Sequence, residues 1–321
     1  MIEIRRLIII GYSELALKLY RIYSKSFKVE IIYSERELKE FGKKIKVLKN
    51  YKIYLVKNID KYLMKFERKN IFIFSLGSTF IFKKKIIDKF KNRIFNCHNT
   101  DLPKWKGGGD ISYRIMNSYN FGATSVHEVS NKIDEGRIVF QKKYKINPIN
   151  KNPLKLKKEI EKKAIGHLKI FFDNLILRKK FTFKKNKIDQ GFYLPRLDTN
   201  IHGAIDWNWD GRDINSFVNS FSKPYKGAFS FCRNKKITIY KLNLKKEKFL
   251  KHPFMYGLVF KIHLSKFYVV AKNYSLIIDK KNFKSPIDLK VGDRLYTPAS
   301  FFDKYKRLRV FYSPEGKIFK R

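Results

Sequence analysis

The chain has 321 residues, of which 44% are hydrophobic, so it is long and apolar enough for two domains with hydrophobic cores. Its formal net charge of +44 would suit a nucleic acid or an acidic membrane surface, but only 16 of the 72 basic residues are Arg, and the Lys residues are spread along the whole chain. This pattern is typical of a composition bias throughout a proteome and argues against a dedicated nucleic-acid surface, although a positive field still favours anionic small molecules.

Cysteine content and hydropathy restrict the compartment. Cys97 and Cys232 are the only cysteines and do not form a C-x-x-C pair, so a reducing cytoplasm is the simpler interpretation. No apolar run is long enough for the core of a signal peptide or for a membrane span. We therefore expect a cytoplasmic protein without membrane contact, and the sequence indicates no metal site.

Short apolar runs alternate with amphipathic helical patterns over the first hundred residues. Five of these runs predict buried β-strands, at residues 7–10, 29–33, 53–56, 71–74 and 93–95. The alternation predicts an α/β fold, a doubly wound and mostly parallel Rossmann-like sheet whose ligands bind beyond the carboxyl ends of the strands. After the first strand the chain lacks the G-x-G-x-x-G pattern, which argues against a nicotinamide dinucleotide.

The second half of the chain has a different pattern of apolar and turn-forming residues. We expect an edge strand at 138–146 and a long helix at 153–177, followed by a basic run at 178–187 that is typical of a hinge. From residue 229 onward, turn residues separate short β-like runs, which predicts a smaller, β-rich C-terminal domain. The predicted division is a catalytic domain at 1–180, a linker at 181–200 and the second domain at 201–321.

Three polar residues near the last strand of the predicted sheet form a candidate catalytic set. Asn96 and His98 come directly after that strand and are two apart on an extended segment, so their side chains point the same way. Acyl transfer to an amine needs a base with a pKa near neutrality, a donor for the developing oxyanion, and a carboxylate that holds the imidazole cationic or positions a water. His98, Asn96 and Asp134 offer these groups. Simpler interpretations exist, because a histidine after a strand is often structural and Asp134 could be a turn residue.

Together these residues resemble the formyltetrahydrofolate-dependent formyltransferase family. The signature of that family is Asn-x-His, then Ser/Thr-x-Leu-Pro-x-x-x-Gly, then an Asp-x-Gly turn; here it corresponds to Asn96 and His98, to 100–107 and to 134–136. The resemblance implies formyltetrahydrofolate as the formyl donor, with His98 as the general base and Asn96 and Asp134 stabilising the tetrahedral intermediate. It also implies that the pteridine lies between the loop ending at Asp134 and the segment after the fourth strand. The implied folate-binding residues are Phe80, Ile81, Ser130, Ile133 and Asp134.

Within that family the chain is most similar to the sugar N-formyltransferases, which act on nucleotide-linked (dTDP or UDP) amino sugars for surface-polysaccharide synthesis. The run Tyr193-Leu194-Pro195-Arg196, followed by 203–207, is similar to the junction of their two domains, and 223–229 resembles a further segment of this branch. Tyr193 could stack on the nucleotide base or pack onto the core as a linker aromatic. The expected acceptor-binding residues are Lys104, Trp105, Gly108 and Tyr193.

The three glycines at 107–109 leave two interpretations open. They could form a flexible hinge, or they could let the backbone approach an anion closely. The arabinose-specific sugar enzymes have Arg-Gly-Arg where this chain has Lys106, Gly107 and Gly108. The contacts to the sugar therefore do not follow from the resemblance.

Methionyl-tRNA formyltransferase is the nearest other branch. It has a similar two-domain length, and the charge of +44 would suit tRNA. Its long basic insertion after the second strand has no match here, because residues 34–51 form a short segment without the proline-rich part. We therefore expect small-molecule substrates, a nucleic-acid partner only under this alternative, and a homodimer as the candidate assembly.

Overall fold

The computed structural model describes residues 4–35, 37–38, 51–147, 152–186, 191–248, 252–313 and 316–320. The strands of its first part are β1 (Arg6–Ile10), β2 (Lys28–Tyr33), β3 (Ile53–Leu55), β4 (Ile71–Leu76), β5 (Ile94–His98), β6 (Trp105–Lys106), β7 (Phe121–Glu128) and β8 (Ile138–Lys145). Among the described residues, all of these except β6 form one sheet in the order β3-β2-β1-β4-β5-β7-β8. The first five strands of that sheet are parallel, and β7 and β8 are antiparallel to their neighbours. The predicted doubly wound, mostly parallel sheet is confirmed.

Helices connect these strands: α1 (Glu14–Tyr23), α2 (Ile59–Met64), α3 (Lys84–Lys89), α4 (Asp110–Met116) and α5 (Pro153–Ile176). Side-chain caps begin the two longest of them. The hydroxyl of Ser13 accepts the N–H of Ala16 at 3.1 Å, and the side chain of Asn152 accepts the N–H of Leu154 at 2.9 Å. The apolar stripe predicted for the long helix is buried: Leu156, Ile160, Ala164, Leu168 and Phe171.

The central strand β1 shows why the sheet is buried on both faces. Leu7 and Ile9 belong to the hydrophobic core that includes α1 and α5, whereas Ile8 and Ile10 belong to the core that includes α2 and α3. All four are fully buried, and burial of each side chain contributes roughly 1.5–3 kcal/mol. Because the first five strands are parallel, their carboxyl ends lie at the same edge of the sheet, and β5 ends there at His98.

The chain after α5 returns to the sheet. Lys184 bridges Ile138, with the N–H of Ile138 donating to the Lys184 carbonyl at 2.9 Å and the N–H of Lys184 donating back at 2.8 Å. Strand β9 (Phe192–Tyr193) then pairs in parallel with β6. The basic run was expected to be a hinge, but Lys184 within it pairs its backbone with Ile138 of β8, and residue 187 lies outside the described residues. The boundaries at 180 and 200 stay a prediction.

The C-terminal part is built from short strands and helices around one core. Its elements are α6 (Thr199–His202), α7 (Gly211–Ser220), β10 (Ala228–Cys232), β11 (Lys235–Ile239), β12 (Asn243–Lys246), a 3-10 helix (Pro253–Met255), β13 (Val259–His263), β14 (Lys266–Ala271), β15 (Tyr274–Asp279), a 3-10 helix (Lys280–Asn282), β16 (Phe283–Lys284), α8 (Ala299–Arg307), β17 (Arg309–Ser313) and β18 (Gly316–Lys320). Two sheets, β10-β11-β16 and β12-β15-β14-β13, share a core with α7 and Trp207, and β17 and β18 form a hairpin. The expected β-rich C-terminal domain is confirmed.

The described ranges bear on two further expectations. None of their helices combines the length and the apolar character that crossing a bilayer requires, while the cytoplasmic location stays a prediction. The short segment after the second strand, which argued against the tRNA branch, includes residues 36 and 39–50, which lie outside the described residues.

Candidate active site

The predicted catalytic residues lie where β5 and β7 pair. Asn96 and His98 are inside β5 instead of after it, because antiparallel pairing with β7 extends the strand to His98. In this register His127 is directly opposite Asn96, and Nδ2 of Asn96 lies 3.1 Å from Nε2 of His127. Nδ1 of His127 lies 2.8 Å from the carbonyl oxygen of Glu128. Since a carbonyl can only accept, Nδ1 carries the hydrogen, and Nε2 of the neutral ring accepts from Asn96.

Asp134 brings its carboxylate between two imidazoles. It lies in the turn after β7 with a φ of 57°, and it is only 8% exposed. Its Oδ2 lies 3.7 Å from Nε2 of His98, and its Oδ1 lies 3.5 Å from Nε2 of His127. The backbone N–H of Gly107 donates to Oδ2 at 2.9 Å. The structure thus brings together Asn96, His98 and Asp134.

The glycine of the Asp-x-Gly turn is needed for close packing. A Cβ on Gly136 would lie 1.8 Å from the carbonyl oxygen of Glu128, the last residue of β7. No real Cβ approaches a carbonyl oxygen so closely, so a larger residue would push the turn away from the strand. The glycine therefore fixes how near Asp134 lies to the end of β7.

Asp134 keeps its charge although it is nearly buried. Burial disfavours the charged form and on its own raises the pKa of Asp134. The facing His98, then the neighbouring His127, and then the N–H of Gly107 act in the opposite direction and outweigh burial, so the pKa of Asp134 lies well below its ordinary value. At neutral pH, Asp134 therefore presents a negative charge to both imidazoles.

His98 has a nitrogen that is free for a substrate. Its Nε2 is buried and has no hydrogen-bond partner in the described part of the chain, and the 3.7 Å to Asp134 is too long for a hydrogen bond. An imidazole nitrogen that has no hydrogen-bond partner and lies next to a carboxylate can act as a general base and take a proton from a bound ligand. Across the described ranges, no group of His, Cys, Asp and Glu side chains is arranged to hold a metal ion.

Two groups of the cluster were missed from the sequence. They are His127, which was not among the predicted site residues, and the N–H of Gly107, which has no side-chain signature. A histidine inside a buried strand is a weak hint of a polar site. Its partner follows only from the register of β7 against β5, which residue types do not specify.

The segment after the long helix packs on the glycine run. The N–H of Leu194 donates to the carbonyl of Lys106 at 2.7 Å, and the N–H of Gly109 donates to the carbonyl of Leu194 at 3.2 Å. A Cβ on Gly107, whose φ is 91°, would lie 2.4 Å from the Leu194 oxygen, and one on Gly109 would lie 2.3 Å from the Pro195 oxygen. Gly107 and Gly109 thus let two backbone segments approach each other, and the N–H of Gly107 also contacts an anion, the carboxylate of Asp134.

Tyr193 lies on the same side of this contact as the catalytic cluster. A Cβ on Gly107 would meet Cε2 of Tyr193 at 3.1 Å. Burial, and after it the negative charge of Asp134, raises the pKa of Tyr193. Since the residue is still 42% exposed, its ring borders the cluster instead of filling the core.

The other residues expected to bind the acceptor line the neighbouring surface. Nζ of Lys104 lies 5.5 Å from the ring centroid of Trp105, and that ring lies 5.8 Å from the ring of Phe192, which is 63% exposed. Nε1 of Trp105 is buried without a hydrogen-bond partner among the residues described. Gly108 faces Arg196, whose Cβ would lie 3.7 Å from a Cβ on the glycine.

The residues expected to hold a pteridine lie on two adjacent segments. Phe80, after β4, and Val129, before Ser130, pack against the same hydrophobic cluster. Ile81 is partly buried and Ile133 is 38% exposed, so both have side-chain surface available. The backbone N–H of Phe80, however, already donates to the hydroxyl of Ser78 at 3.0 Å.

A buried ion pair next to the cluster was also missed from the sequence. Nζ of Lys106 lies 3.2 Å from Oε1 of Glu135, with side chains only 6% and 16% exposed. Lys106 precedes Gly107 and Glu135 follows Asp134, so this pair joins the same two segments as the hydrogen bond between Gly107 and Asp134. Lysine and glutamate are so common on surfaces that their types alone do not reveal such a pair.

Comparison with known protein families matches two parts of the chain. The family described as Formyl transferase matches residues 72–168, and the family described as Formyl transferase, C-terminal domain, matches residues 199–291. The first range contains all four side chains of the cluster, which are Asn96, His98, His127 and Asp134.

Proteins of known structure match over most of the chain. An N-formyltransferase from Helicobacter canadensis, in complex with folinic acid and dTDP-3-aminofucose, is 23% identical, with 87% of this chain and 99% of that chain covered and a TM-score of 0.64. The sugar 3N-formyl transferase WlaRD, in the presence of dTDP and 5-N-formyl-THF, is 20% identical, with 89% of this chain and 100% of that chain covered and a TM-score of 0.63. At these identities the likeness shows the fold.

A further relative resembles part of the chain. The bifunctional polymyxin resistance protein ArnA of Wigglesworthia glossinidia brevipalpis is 29% identical over 160 residues, which are 48% of this chain. The match spans 23% of the length of that relative. It therefore bears on one portion of ArnA only.

Proposed function

Because the chain belongs to the formyl transferase family, we propose that it moves a formyl group from formyltetrahydrofolate to the amine of a nucleotide-linked amino sugar. The observation that carries the reaction is the buried cluster in which the ionised Asp134 faces Nε2 of His98. The folate derivatives with the two sugar formyltransferases support the donor, and dTDP and dTDP-3-aminofucose support the acceptor.

His98 is proposed as the general base. An amine that attacks a carbonyl must lose a proton, and an imidazole has a pKa suited to accept it near neutral pH. Because Nε2 of His98 lacks a partner among the described residues, it can receive that proton from the ligand. The negative charge of Asp134, 3.7 Å away, then stabilises the imidazolium that results.

Asn96 is proposed as the donor to the formyl oxygen. One N–H of its amide is used by His127, which leaves the second N–H for the oxygen on which negative charge develops during attack. A preorganised donor of this kind is worth roughly 2.7–4 kcal/mol. Formyltetrahydrofolate, when bound, supplies the formyl carbon that the amine attacks.

His127 and Gly107 are proposed to hold Asp134 in place. Oδ1 of Asp134 faces His127 at 3.5 Å, and Oδ2 receives the N–H of Gly107 at 2.9 Å. With both oxygens restrained, the carboxylate cannot turn away from His98. Asn96 is oriented by the same imidazole, so His127 serves both partners of the reaction centre.

The surface next to the cluster suits a nucleotide-linked sugar. Tyr193 and Trp105 offer aromatic faces, and stacking of a base on such a face is worth ~1–3 kcal/mol in nucleic-acid sites. Lys104 lies over the Trp105 ring and offers a cation for a diphosphate, in the field of a chain with a net charge of +44. We also propose that the product enters surface-polysaccharide synthesis; the cytoplasmic location and the homodimer stay predictions.

A formyl-transfer assay tests the acceptor. The purified chain is supplied with formyltetrahydrofolate and, in separate reactions, with dTDP-linked amino sugars, UDP-linked amino sugars or methionyl-tRNA. We expect formylation of at least one nucleotide-linked amino sugar. Formylation of methionyl-tRNA alone would overturn the proposed acceptor and favour the tRNA branch.

The catalytic assignment is tested by two single substitutions. His98→Ala and Asp134→Ala should each lower kcat about 100-fold or more, because the base or its counter-charge is lost, while the melting temperature shows that the variants fold. His263→Ala, at an exposed position in the C-terminal part, is the matched control and should retain full activity. Turnover close to wild type in both variants would contradict the assignment.

A further inference from the structure

Asn186 lies behind the turn that carries Asp134. It is 5% exposed, and its Nδ2 donates to the backbone carbonyl of Asp134 at 2.9 Å and to that of Gly136 at 3.1 Å. One side-chain amide therefore ties together the two ends of the Asp-x-Gly turn. These contacts are to the backbone of the turn, whereas the carboxylate of Asp134 faces the histidines.

The turn depends on such a contact for two reasons. Asp134 is a non-glycine residue with a φ of 57°, a conformation that surrounding structure must enforce. The carbonyls of Asp134 and Gly136 also need donors, because buried backbone acceptors are otherwise costly. In the described part of the chain, no backbone N–H donates to either carbonyl. The amide of Asn186 therefore supplies the hydrogen-bond donors that both carbonyls lack.

Asn186 is itself held in place by its own segment. Lys184, two residues earlier, exchanges two backbone hydrogen bonds with Ile138 at 2.8 and 2.9 Å. The guanidinium of Arg137 lies 4.3 Å from the ring centroid of Phe183. The segment is thus anchored directly beyond the turn, so the position of Asn186 is not free to follow a shift of Asp134.

We propose that Asn186 is a positioning residue for formyl transfer, holding Asp134 in the left-handed turn from which its carboxylate reaches His98 and His127. Asn186 acts through Asp134 and lies behind the reacting groups. Its kinetic consequence depends on the proposed function, whereas its effect on the turn does not. Nothing in the sequence marks it, since Asn186 lies in a basic run that predicted only a hinge.

The test compares two variants with a matched control. Asn186→Ala removes the amide, and Asn186→Asp keeps its size but replaces the two N–H donors by an acceptor. Asn117→Ala is the control, because the Asn117 amide also donates to a backbone carbonyl, that of Tyr113 at 2.8 Å, at an exposed helix end away from the cluster. Crystal structures of the variants are solved, and kcat and KM are measured for both substrates.

We expect each Asn186 variant to lower kcat at least tenfold with KM for both substrates within about twofold of wild type, since binding surfaces are unchanged. In the crystal structure of Asn186→Ala, Asp134 should leave the left-handed region or move its Oδ2 more than about 1 Å farther from His98. Asn117→Ala should match wild type in both measurements. A rise in KM as large as the fall in kcat would assign Asn186 to substrate binding and overturn the proposal.

Further outcomes also decide the proposal. An unchanged turn in Asn186→Ala, or a kcat within twofold of wild type, overturns it. If both Asn186 variants fail to fold while Asn117→Ala folds, Asn186 has a structural role only and the proposal is likewise wrong. If the wild-type chain formylates no nucleotide-linked amino sugar, the proposed function fails, while the geometry of the turn in the variant structures still decides whether Asn186 holds Asp134.

Discussion

Asp134 shows how single residues set the chemistry of this site. A carboxylate that is 8% exposed would ordinarily take up a proton, but the two imidazoles and the N–H of Gly107 compensate for the lost water. The negative charge of Asp134 therefore lies next to His98, where it can stabilise the protonated imidazole. His127 contributes to this balance from the opposite side and also binds Asn96.

Replacing His127 by Gln tests that contribution. Glutamine can still accept from Asn96, but its flexible side chain does not place a ring against Oδ1 of Asp134, so the carboxylate is held less firmly. We expect kcat to fall about tenfold, which corresponds to about 1.4 kcal/mol of lost transition-state stabilisation, measured in the formyl-transfer assay.

His167→Gln is the matched control for this substitution. His167 is a partly buried histidine of α5 that lies 3.0 Å from the Thr124 hydroxyl, outside the cluster. The substitution His167→Gln should leave kcat unchanged. Equal activities of His127→Gln and His167→Gln would show that His127 has no special role.

At the scale of elements, the site depends on contacts between segments that are far apart in the chain. β6 and β9 pair in parallel, so the glycine run and the segment beginning at Tyr193 lie side by side. The same glycine run supplies the N–H that binds Asp134. A displacement of this pair of segments would therefore alter both the acceptor surface and the carboxylate.

Gly109→Ala tests the packing of these segments. The new Cβ would lie 2.3 Å from the Pro195 oxygen and 2.8 Å from the ring of Tyr113. We expect a loss of about 1–3 kcal/mol in the free energy of unfolding, measured by urea denaturation, together with a raised KM for the acceptor.

Gly166→Ala in α5 is the control for Gly109→Ala. A Cβ at Gly166 meets nothing within 4 Å, and alanine is the better helix former, so this variant should gain roughly 0.5–1 kcal/mol. Equal effects of the two substitutions on stability would contradict the importance of the close approach.

At the scale of the whole molecule, stability must withstand a formal net charge of +44. Self-repulsion of like charges destabilises a compact state, and it increases as carboxylates are protonated in acid. The described residues compensate in part with ion pairs on the surface. They also form a hydrophobic core on each face of the parallel sheet and another in the C-terminal part. Asp134 also contributes to the free energy of unfolding, by an amount that depends on pH.

The pKa of Asp134 is lower in the folded than in the unfolded chain, which predicts the sign of that contribution. Its contribution to stability is complete above the unfolded pKa of about 3.9 and is lost as the pH falls toward the lower folded pKa. We therefore expect the difference in unfolding free energy between wild type and Asp134→Asn to shrink between about pH 5 and pH 3, measured by urea denaturation. A difference that stays constant over this range would contradict the depressed pKa.

Much of the fold could be predicted because its signals are local. The apolar run at 7–10 predicts a buried strand, and the observed strand is Arg6–Ile10; the predicted helix at 153–177 is observed as Pro153–Ile176. Burial on both faces leaves an uninterrupted apolar run, and a helix leaves a period of 3.6, so both can be recognised in one stretch of sequence. The end of β5 was misjudged because Asn96 and His98 are polar, and residue types do not reveal that the strand continues through them by pairing with β4 and β7.

The class of fold and the groups available for the reaction can be recognised from the amino-acid sequence, since Asn96, His98 and Asp134 belong to short stretches with a recognisable order. The other groups that meet them become visible when the chain is folded. Asn96 and His127 are 31 residues apart and meet through strand register, while Asn186 reaches the carbonyl of Asp134 across 52 residues. The physical reason is that strand register and the return path of a loop depend on packing over the whole sheet, which residue types in one stretch do not encode.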